Sequence, residues 1–335
     1  MCIRVIRPGL LTTIQDLGRF GVQQYGVIVS GAMDSVALRV TNLLVENEQN
    51  DAALEITLSG PSLRFEQDAL IAIGGGDLSP CIDGQPVPAS CPVWIRNGSV
   101  LDFGAPASGC RAYLAVSGGF DVPIVMGSRS TYLRAQLGGF DGRPLKKGDL
   151  LKLRPALFRA NRLRHRLSES AGVQSILAAN WSVGSALPGY VNDPTIRVML
   201  GSHHDWLTEE SRVKFFSEEF KVTSQSDRMG YRLAGHPIQL SEPRELISEA
   251  VTAGTVQIPP DGQPIVLLAD RPTTGGYAKI AQVATVDLSL LAQVKPGARI
   301  RFRAISVEDA QDLYRRQEAM LRKLECGIAL TNNAY

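Results

Sequence analysis

The chain of 335 residues is long enough for about two domains, and its hydrophobic share of 44% is that of a folded protein rather than a disordered one. Lysine and arginine number 35 against 33 aspartates and glutamates, and a net charge of +2 gives no basic field of the kind nucleic-acid binders use. Five cysteines at wide spacings, with no CxxC, suggest neither a disulfide framework nor a zinc site.

In chain order, the opening MCIRVIRPGLLTTIQD lacks the plan of a secretory signal, and no apolar run approaches the roughly 18 residues of a membrane span. A cytoplasmic location, with no membrane or nucleic-acid partner, is expected. The stretch 33–45 places Met33, Val36, Ala37, Val40, Leu43 and Leu44 on one helical face, with Asp34 able to cap it. Apolar runs at 69–73, 92–95 and 111–116 read as strands, and Gly74-Gly75-Gly76 reads as a flexible turn ending the first of them. The stretch 154–187 carries Arg159, Arg162, Arg164, His165 and Arg166 and then Ser/Ala/Gly-rich sequence, the composition of a linker with a solvated basic face. Strands follow at 195–200, 264–268 and 299–304. A helix at 208–216 starts with Thr208 and an acidic first turn, Glu209-Glu210. A last helix is predicted at 306–324, where Ser306 and Asp309 form a short-armed capping box. It is expected to pack on its own barrel, with self-association as the alternative.

Turn signals at Asp83-Gly84, Asn97-Gly98, Asp141-Gly142 and Asp261-Gly262 separate these strands. The pattern predicts a mainly β protein, sandwich or barrel, with a few short helices. The expected domains are 1–155, a linker over 156–190, a second β domain over 191–305, and a helix and tail over 306–335. A faint internal echo links the halves. TIQDLGR (13–19) resembles SQSDRMG (224–230), and the region from Asp121 to Tyr132 parallels that from Asp261 to Tyr277.

Nucleotide motifs GxGxxG and GxxxxGK[ST] are missing, as is a GxSxG elbow. His203, His204 and Asp205 are sequence neighbours and do not converge on a metal by themselves. The densest chemistry lies in 259–280. There a buried-type strand ends in Asp270 and Arg271, followed by Thr273, Thr274, Gly275, Gly276, Tyr277 and Lys279. Asp261 and Gln263 precede the strand. Such groups can bind a carboxylate or phosphate and move protons. A β-hairpin whose Asp–Arg pair only stabilises a turn fits the same residues. Ser226, Asp227 and Arg228 in SQSDRMGY form a second cluster, equally readable as a turn with a surface ion pair. Ser30 and Asp34 lead into a helix, where an anion or plain capping is possible. Arg129, with Asp16 and Arg19, is the first-half counterpart.

Several long segments in fixed order carry a family resemblance: GLLTTIQDLGRFGVQQYGV (9–27), SGAMDSVALRVTNLLV (30–45), ALEITLSGP (53–61), RAYLAVSGG (111–119), GSRSTYLR (127–134), SQSDRMGYRLAG (224–235) and the 259–280 stretch. The chain resembles the biotin-dependent carboxyltransferase, or KipI-antagonist (KipA), family, also called allophanate hydrolase subunit 2. Within that family it looks most like the members that serve as the C subunit of 5-oxoprolinase. The likeness runs from about residue 6 to 304. Ala278, Pro272 and Ile28-Val29 depart from the family pattern in shape without removing polar groups.

The resemblance implies two cyclophilin-like β-barrel domains. It implies one component of an ATP-dependent 5-oxoprolinase that opens the lactam of 5-oxoproline to glutamate, acting with a KipI-like B subunit plus an A subunit. It raises the expectation of function at Asp227, Arg228, Asp270, Arg271, Thr273, Thr274, Tyr277 and Lys279. Asp270, Arg271, Tyr277, Lys279 and Asp227 are the expected catalytic set, and Arg228, Ser226, Thr273, Thr274, Gly275, Gly276, Asp261, Gln263, Ser30, Asp34 and Arg129 would bind substrate. The alternatives are a carboxyltransferase component moving a carboxyl group from carboxybiotin to urea or a related amide, and a regulator that binds a KipI-like kinase inhibitor without catalysis.

Overall fold

Asp83 and Gly84 both take left-handed backbone, with φ of 48° and 80°. A type I′ turn needs that pair of conformations, and it folds Cys81–Ile82 back onto Gln85–Pro86. Turns of this economy, repeated along the chain, produce a mainly β structure with five α-helices among the described residues. The computed structural model describes residues 2–183, 189–242 and 244–334. The chain divides into two units. The first is Met1–Arg19, Asp34–Gly189 and Ala319–Tyr335, and the second is Phe20–Met33 and Tyr190–Glu318. This differs from the expected serial split. The segment Phe20–Met33 belongs to the second unit, and the chain returns to the first within its last helix.

In the first unit two six-stranded sheets face each other. One runs in the order Leu150–Lys152, Cys2–Arg7, Ser62–Phe65, Val100–Asp102, Cys81–Ile82 and Gln85–Pro86. The other runs Ile176–Ala178, Val93–Ile95, Ala69–Asp77, Ser108–Val116, Ala53–Thr57 and Leu11–Gln15. Their inner faces share one core in which Ile3, Leu63, Phe65, Ile56, Ile71 and Leu114 are fully buried. The mainly β class expected from the turn pattern takes the form here of two opposed sheets.

Helix α1 (Ser35–Leu44) is capped by Asp34, whose Oδ1 accepts from the Ala37 amide at 2.9 Å. The helix lies on the strand Ala69–Asp77, and the glycine triplet is what lets it approach. A Cβ on Gly74 would stand 2.2 Å from Thr41 Oγ1. Gly75, at φ 85°, sits where the pairing with Ser108–Val116 shifts register, a bulge rather than a strand end. The expected flexible turn is therefore strand interior.

The stretch 156–190 is not a linker where it is described; residues 184–188 fall outside the described residues. Helix α2 (Phe158–Ala171) forms from the basic cluster and buries Ala160, Leu163 and Ala171. Ile176–Ala178 then pairs antiparallel with Val93–Ile95 and extends the second sheet. Four arginines and a histidine hide the helical period, because few apolar positions mark its inner face.

The second unit holds a closed seven-stranded barrel. Its order is Thr195–Leu200, Ala278–Val283, Thr255–Ile258, Ile265–Leu267, Gly230–Ala234, Phe220–Val222 and Arg299–Ala304. The last strand closes on the first by the barrel's parallel pairing. Helix α3 (Glu209–Ser217), capped by Thr208 Oγ1 at 3.2 Å from the Ser211 amide, drives Phe215 into the barrel. The Phe215 ring stacks on Phe302 with centroids 4.6 Å apart. Helix α4 (Leu288–Ala292) follows Asp287, a fully buried carboxylate held by the Arg197 amide at 2.7 Å and by the Arg197 guanidinium. Helix α5 (Val307–Ala334) begins at the expected Ser306–Asp309 box, with the Asp309 amide 3.0 Å from Ser306 Oγ. It runs ten residues beyond the predicted end. Its start packs on the barrel unit as expected, Ala310 against Ala284 and Val286, whereas the residues from Ala319 on group with the first unit.

Gly74→Ala should lose about 1–3 kcal/mol of unfolding free energy by denaturant titration, the usual cost of overpacking. Adding Thr41→Ala should return much of that loss, because the blocking oxygen is gone.

Candidate functional site

Strand register makes the central feature of the second unit. Gly230–Ala234 pairs antiparallel with Ile265–Leu267, Gly230 opposite Leu267. The backbone pairing continues past the strand ends, through the Leu268 amide to Met229 O at 2.9 Å and the Asp270 amide to Arg228 O at 2.8 Å. Arg228 and Asp270 are thereby set opposite each other. The guanidinium grips the carboxylate twice, Nε to Oδ2 and Nη2 to Oδ1, both at 2.9 Å. Ser30 Oγ donates to the same Oδ1 at 2.8 Å, and Arg228 Nη2 reaches Gly31 O at 2.6 Å. Ser30, Arg228 and Asp270 are only 4%, 4% and 6% exposed. Ser30 sits in left-handed backbone at φ 56°, a conformation costly for a non-glycine and held here by its bond to Asp270.

Arg271, the next residue, has a different environment. It is half-buried, and its guanidinium donates to the backbone carbonyls of Val251 and Leu268, each at 3.4 Å. No carboxylate pairs with it among the described residues. Burial lowers its pKa from the usual guanidinium value, as for a cation stripped of water without a counter-charge.

Lys279 stands nearby on the barrel strand Ala278–Val283 and forms an ion pair with Glu249. Its side chain is 18% exposed against 56% for Glu249. The ammonium holds the Glu249 carboxyl below the usual carboxylate range. Glu249–Ala250 pairs with Thr274–Gly275, placing Glu249 opposite Gly275. The space beside Gly275 is taken by the buried Gln257 carboxamide, so the glycine's smallness serves packing within the chain. His203 joins Lys279 through the backbone, and its ring stacks on Trp206 at 4.0 Å. The Arg244 guanidinium lies over the same indole, 4.5 Å from its centroid. A groove of about 480 Å³ opens beside this cluster, walled by Ile238, Leu240, Ile258 and Pro260, with Gln239, Arg244, Tyr277 and Asp261 as its polar lining.

The remaining expected residues have local roles. Asp227 is exposed and its Oδ1 accepts from the Met229 and Gly230 amides at 2.8 and 3.3 Å, an Asx turn. Ser226 Oγ accepts from the Arg232 amide at 3.1 Å. Asp261 Oδ1 takes the Gln263 amide at 3.0 Å, and Gln263 Oε1 takes the Gly235 amide at 3.0 Å. Thr273 O accepts from the Val251 amide at 3.2 Å, and Thr274 is an exposed strand residue. Asp34 and Arg129 lie in the first unit. There Asp34 caps α1, and the Arg129 amide donates to Asp16 Oδ2 at 2.5 Å. Asp16 also accepts from Ser128 and Ser130, at 2.6 and 2.5 Å from Oδ1. Each unit thus has a polar clamp binding an early loop to a later one, but Asp227, the counterpart of Asp16 in the echo, caps a local turn instead of joining it.

Glu249, His203 and Arg244 lie outside the set that sequence reasoning points to. Glu249 sits in a plain polar stretch, and His203 suggests only a metal ligand when read beside His204 and Asp205. No group of metal-binding side chains occurs among the described residues.

Comparison with known proteins identifies the family. The family model described as "Carboxyltransferase domain, subdomain A and B" matches residues 25–304. The chain is similar to the C subunit of 5-oxoprolinase from Haemophilus influenzae, 39% identical over 312 residues, covering 93% of this chain and 94% of that protein. It is 38% identical to the corresponding Escherichia coli 5-oxoprolinase component, over 96% of this chain and 97% of that one. The crystal structure of the K. lactis urea amidolyase superposes with a TM-score of 0.85 at 33% identity, over 96% of this chain and 20% of that one. By length, matched motifs and fold, the chain belongs to the carboxyltransferase-domain family that contains the C subunit of 5-oxoprolinase.

Proposed function

We propose that this chain is one component of an ATP-dependent 5-oxoprolinase, working with a KipI-like B subunit plus an A subunit to open 5-oxoproline to glutamate. The observation that carries it is the end-to-end likeness to two 5-oxoprolinase C subunits, on both sides of the alignment. The residues brought together around Arg271 and Lys279 support this reading. The lactam substrate carries a carboxylate, and Arg271 is a half-buried cation with no carboxylate partner among the described residues. Arg228 is not available for that role, because Asp270 already neutralises it. In this reading Lys279, restrained by Glu249, stabilises negative charge developing on the lactam oxygen. Tyr277 lines the adjoining groove and is 46% exposed, open to a ligand. Asp270 and Arg228 form the support beneath these groups rather than the reacting set.

An unactivated lactam is a poor electrophile, and ATP consumption by the complex supplies the free energy its opening lacks. Arg271 fits a phosphate as well as a carboxylate. A second reading, a carboxyltransferase component served by carboxybiotin, is favoured by the family description and by the urea amidolyase likeness. Transfer of labelled carboxylate from a biotinylated carrier, with no glutamate formed, would establish it.

The primary test is glutamate formation from 5-oxoproline and ATP by the co-expressed subunits, omitting each in turn. Activity should vanish without this chain, and an assembled complex that makes no glutamate would reject the assignment. Within an active complex, Arg271→Ala should raise KM for 5-oxoproline at least tenfold, and Lys279→Met should lower kcat about 10²-fold. Losses below tenfold in both would remove these roles. Asp270→Ala should instead act on folding. Leaving Arg228 buried without its partner should cost about 3–5 kcal/mol by denaturant titration.

A further inference from the structure

The turn carrying His203 lies hard against the barrel strand Ala278–Val283. Gly201 permits this, since a Cβ there would stand 2.4 Å from Lys279 O. His203 and Lys279 then exchange two hydrogen bonds. The His203 amide donates to Lys279 O at 3.0 Å, and the Lys279 amide donates to His203 Nδ1 at 3.0 Å. A ring nitrogen that accepts from a backbone amide has its lone pair committed and carries no proton. In the neutral ring the proton is therefore on Nε2, which makes no hydrogen bond to a described residue. Stacking on Trp206, with ring planes within 18°, removes the remaining freedom of the imidazole. Three charges face it: the Lys279 ammonium, the Glu249 carboxylate and the Arg244 guanidinium.

Resting on the lactam reading above, we propose that His203 works as a fixed neutral imidazole. Its Nε2–H donates a hydrogen bond to the substrate oxygen on which negative charge develops, beside the Lys279 ammonium. The donor keeps its proton throughout, so no bond to hydrogen breaks. A neutral donor suits this position. An imidazolium would lose the Lys279 amide bond at Nδ1 and would repel both Lys279 and Arg244. The protonation balance has the same sign. Burial first, and then Lys279, hold the His203 imidazole below its ordinary value, with Glu249 opposing. A group whose folded pKa is depressed contributes stability that is present above its ordinary value of about 6.5 and is lost as pH falls through the folded value. The ring thus stays neutral at pH 7.

Two substitutions separate donation from packing. His203→Asn can keep the acceptor for the Lys279 amide through its Oδ1 but has nothing at the Nε2 position. His203→Gln can place an N–H near that position. In ¹⁵N spectra of the full isolated chain at pH 7, the His203 ring should be the Nε2–H tautomer. In the assembled complex, His203→Asn should keep its melting temperature yet lose about 10²-fold in kcat with KM little changed, as for loss of one preorganised donor. His203→Gln should recover part of the loss. An Nδ1–H or cationic ring at pH 7, or His203→Asn with wild-type kcat, would overturn the proposal. A wild-type complex without glutamate formation would sink the reaction assignment alone, since the tautomer read on the isolated chain still decides the state of His203.

Discussion

The buried pair of Arg228 and Asp270 is the constraint on which the candidate site depends. Two strand ends bring it together, and it also bonds to the loop at Ser30 and Gly31. Burying two charges is unfavourable unless each is matched and hydrogen-bonded. Here the guanidinium is met by a carboxylate and a carbonyl, and the carboxylate by a guanidinium and a hydroxyl. The pair therefore specifies one arrangement of three separate segments. Any other arrangement would leave a charge in apolar surroundings without a partner.

The consequence for chemistry is a division between neighbours in sequence. Asp270 faces inward and is consumed by the scaffold. Arg271 emerges one residue later with carbonyl contacts alone among the described residues. A cation held by dipoles, rather than by a carboxylate, keeps its charge available to an anion. Lys279 and Glu249 make the opposite compromise. Their ion pair is partly solvated, so it restrains the ammonium at modest cost.

The first unit repeats the clamp with the roles redistributed. Asp16, in an early loop, gathers Ser128, the Arg129 amide and Ser130 from a later one. Arg19 of the same early loop donates to Ser130 O at 2.6 Å. Both units thus stitch the same two regions of their half together with a buried carboxylate. The first unit uses hydroxyls and amides where the second uses a guanidinium. Its candidates Asp34 and Arg129 are accordingly engaged in capping and loop closure.

Much of the fold could be read from residues alone. Short β-branched and apolar runs between turn signals found the barrel strands Thr195–Leu200 and Arg299–Ala304 to the residue. Cap chemistry at Asp34, Thr208 and Ser306 found three helix starts, because those signals are local. Ordered motifs identified the family and the stretch 259–280. What stayed hidden was whatever depends on partners far along the chain. Helix α2 carries too few apolar residues to show its period, and only its packing reveals it. The glycine triplet looks like a turn until α1 is laid across Gly74. An aspartate beside an arginine reads the same whether it serves a scaffold or a substrate. Only the tertiary structure assigns Asp270 to Arg228 and Ser30, sets Arg271 against carbonyls instead of a carboxylate, and brings His203 to Lys279 across 76 positions of sequence. The order of residues determines which groups exist and which local bonds they form. Burial and long-range register decide which of them remain free to act.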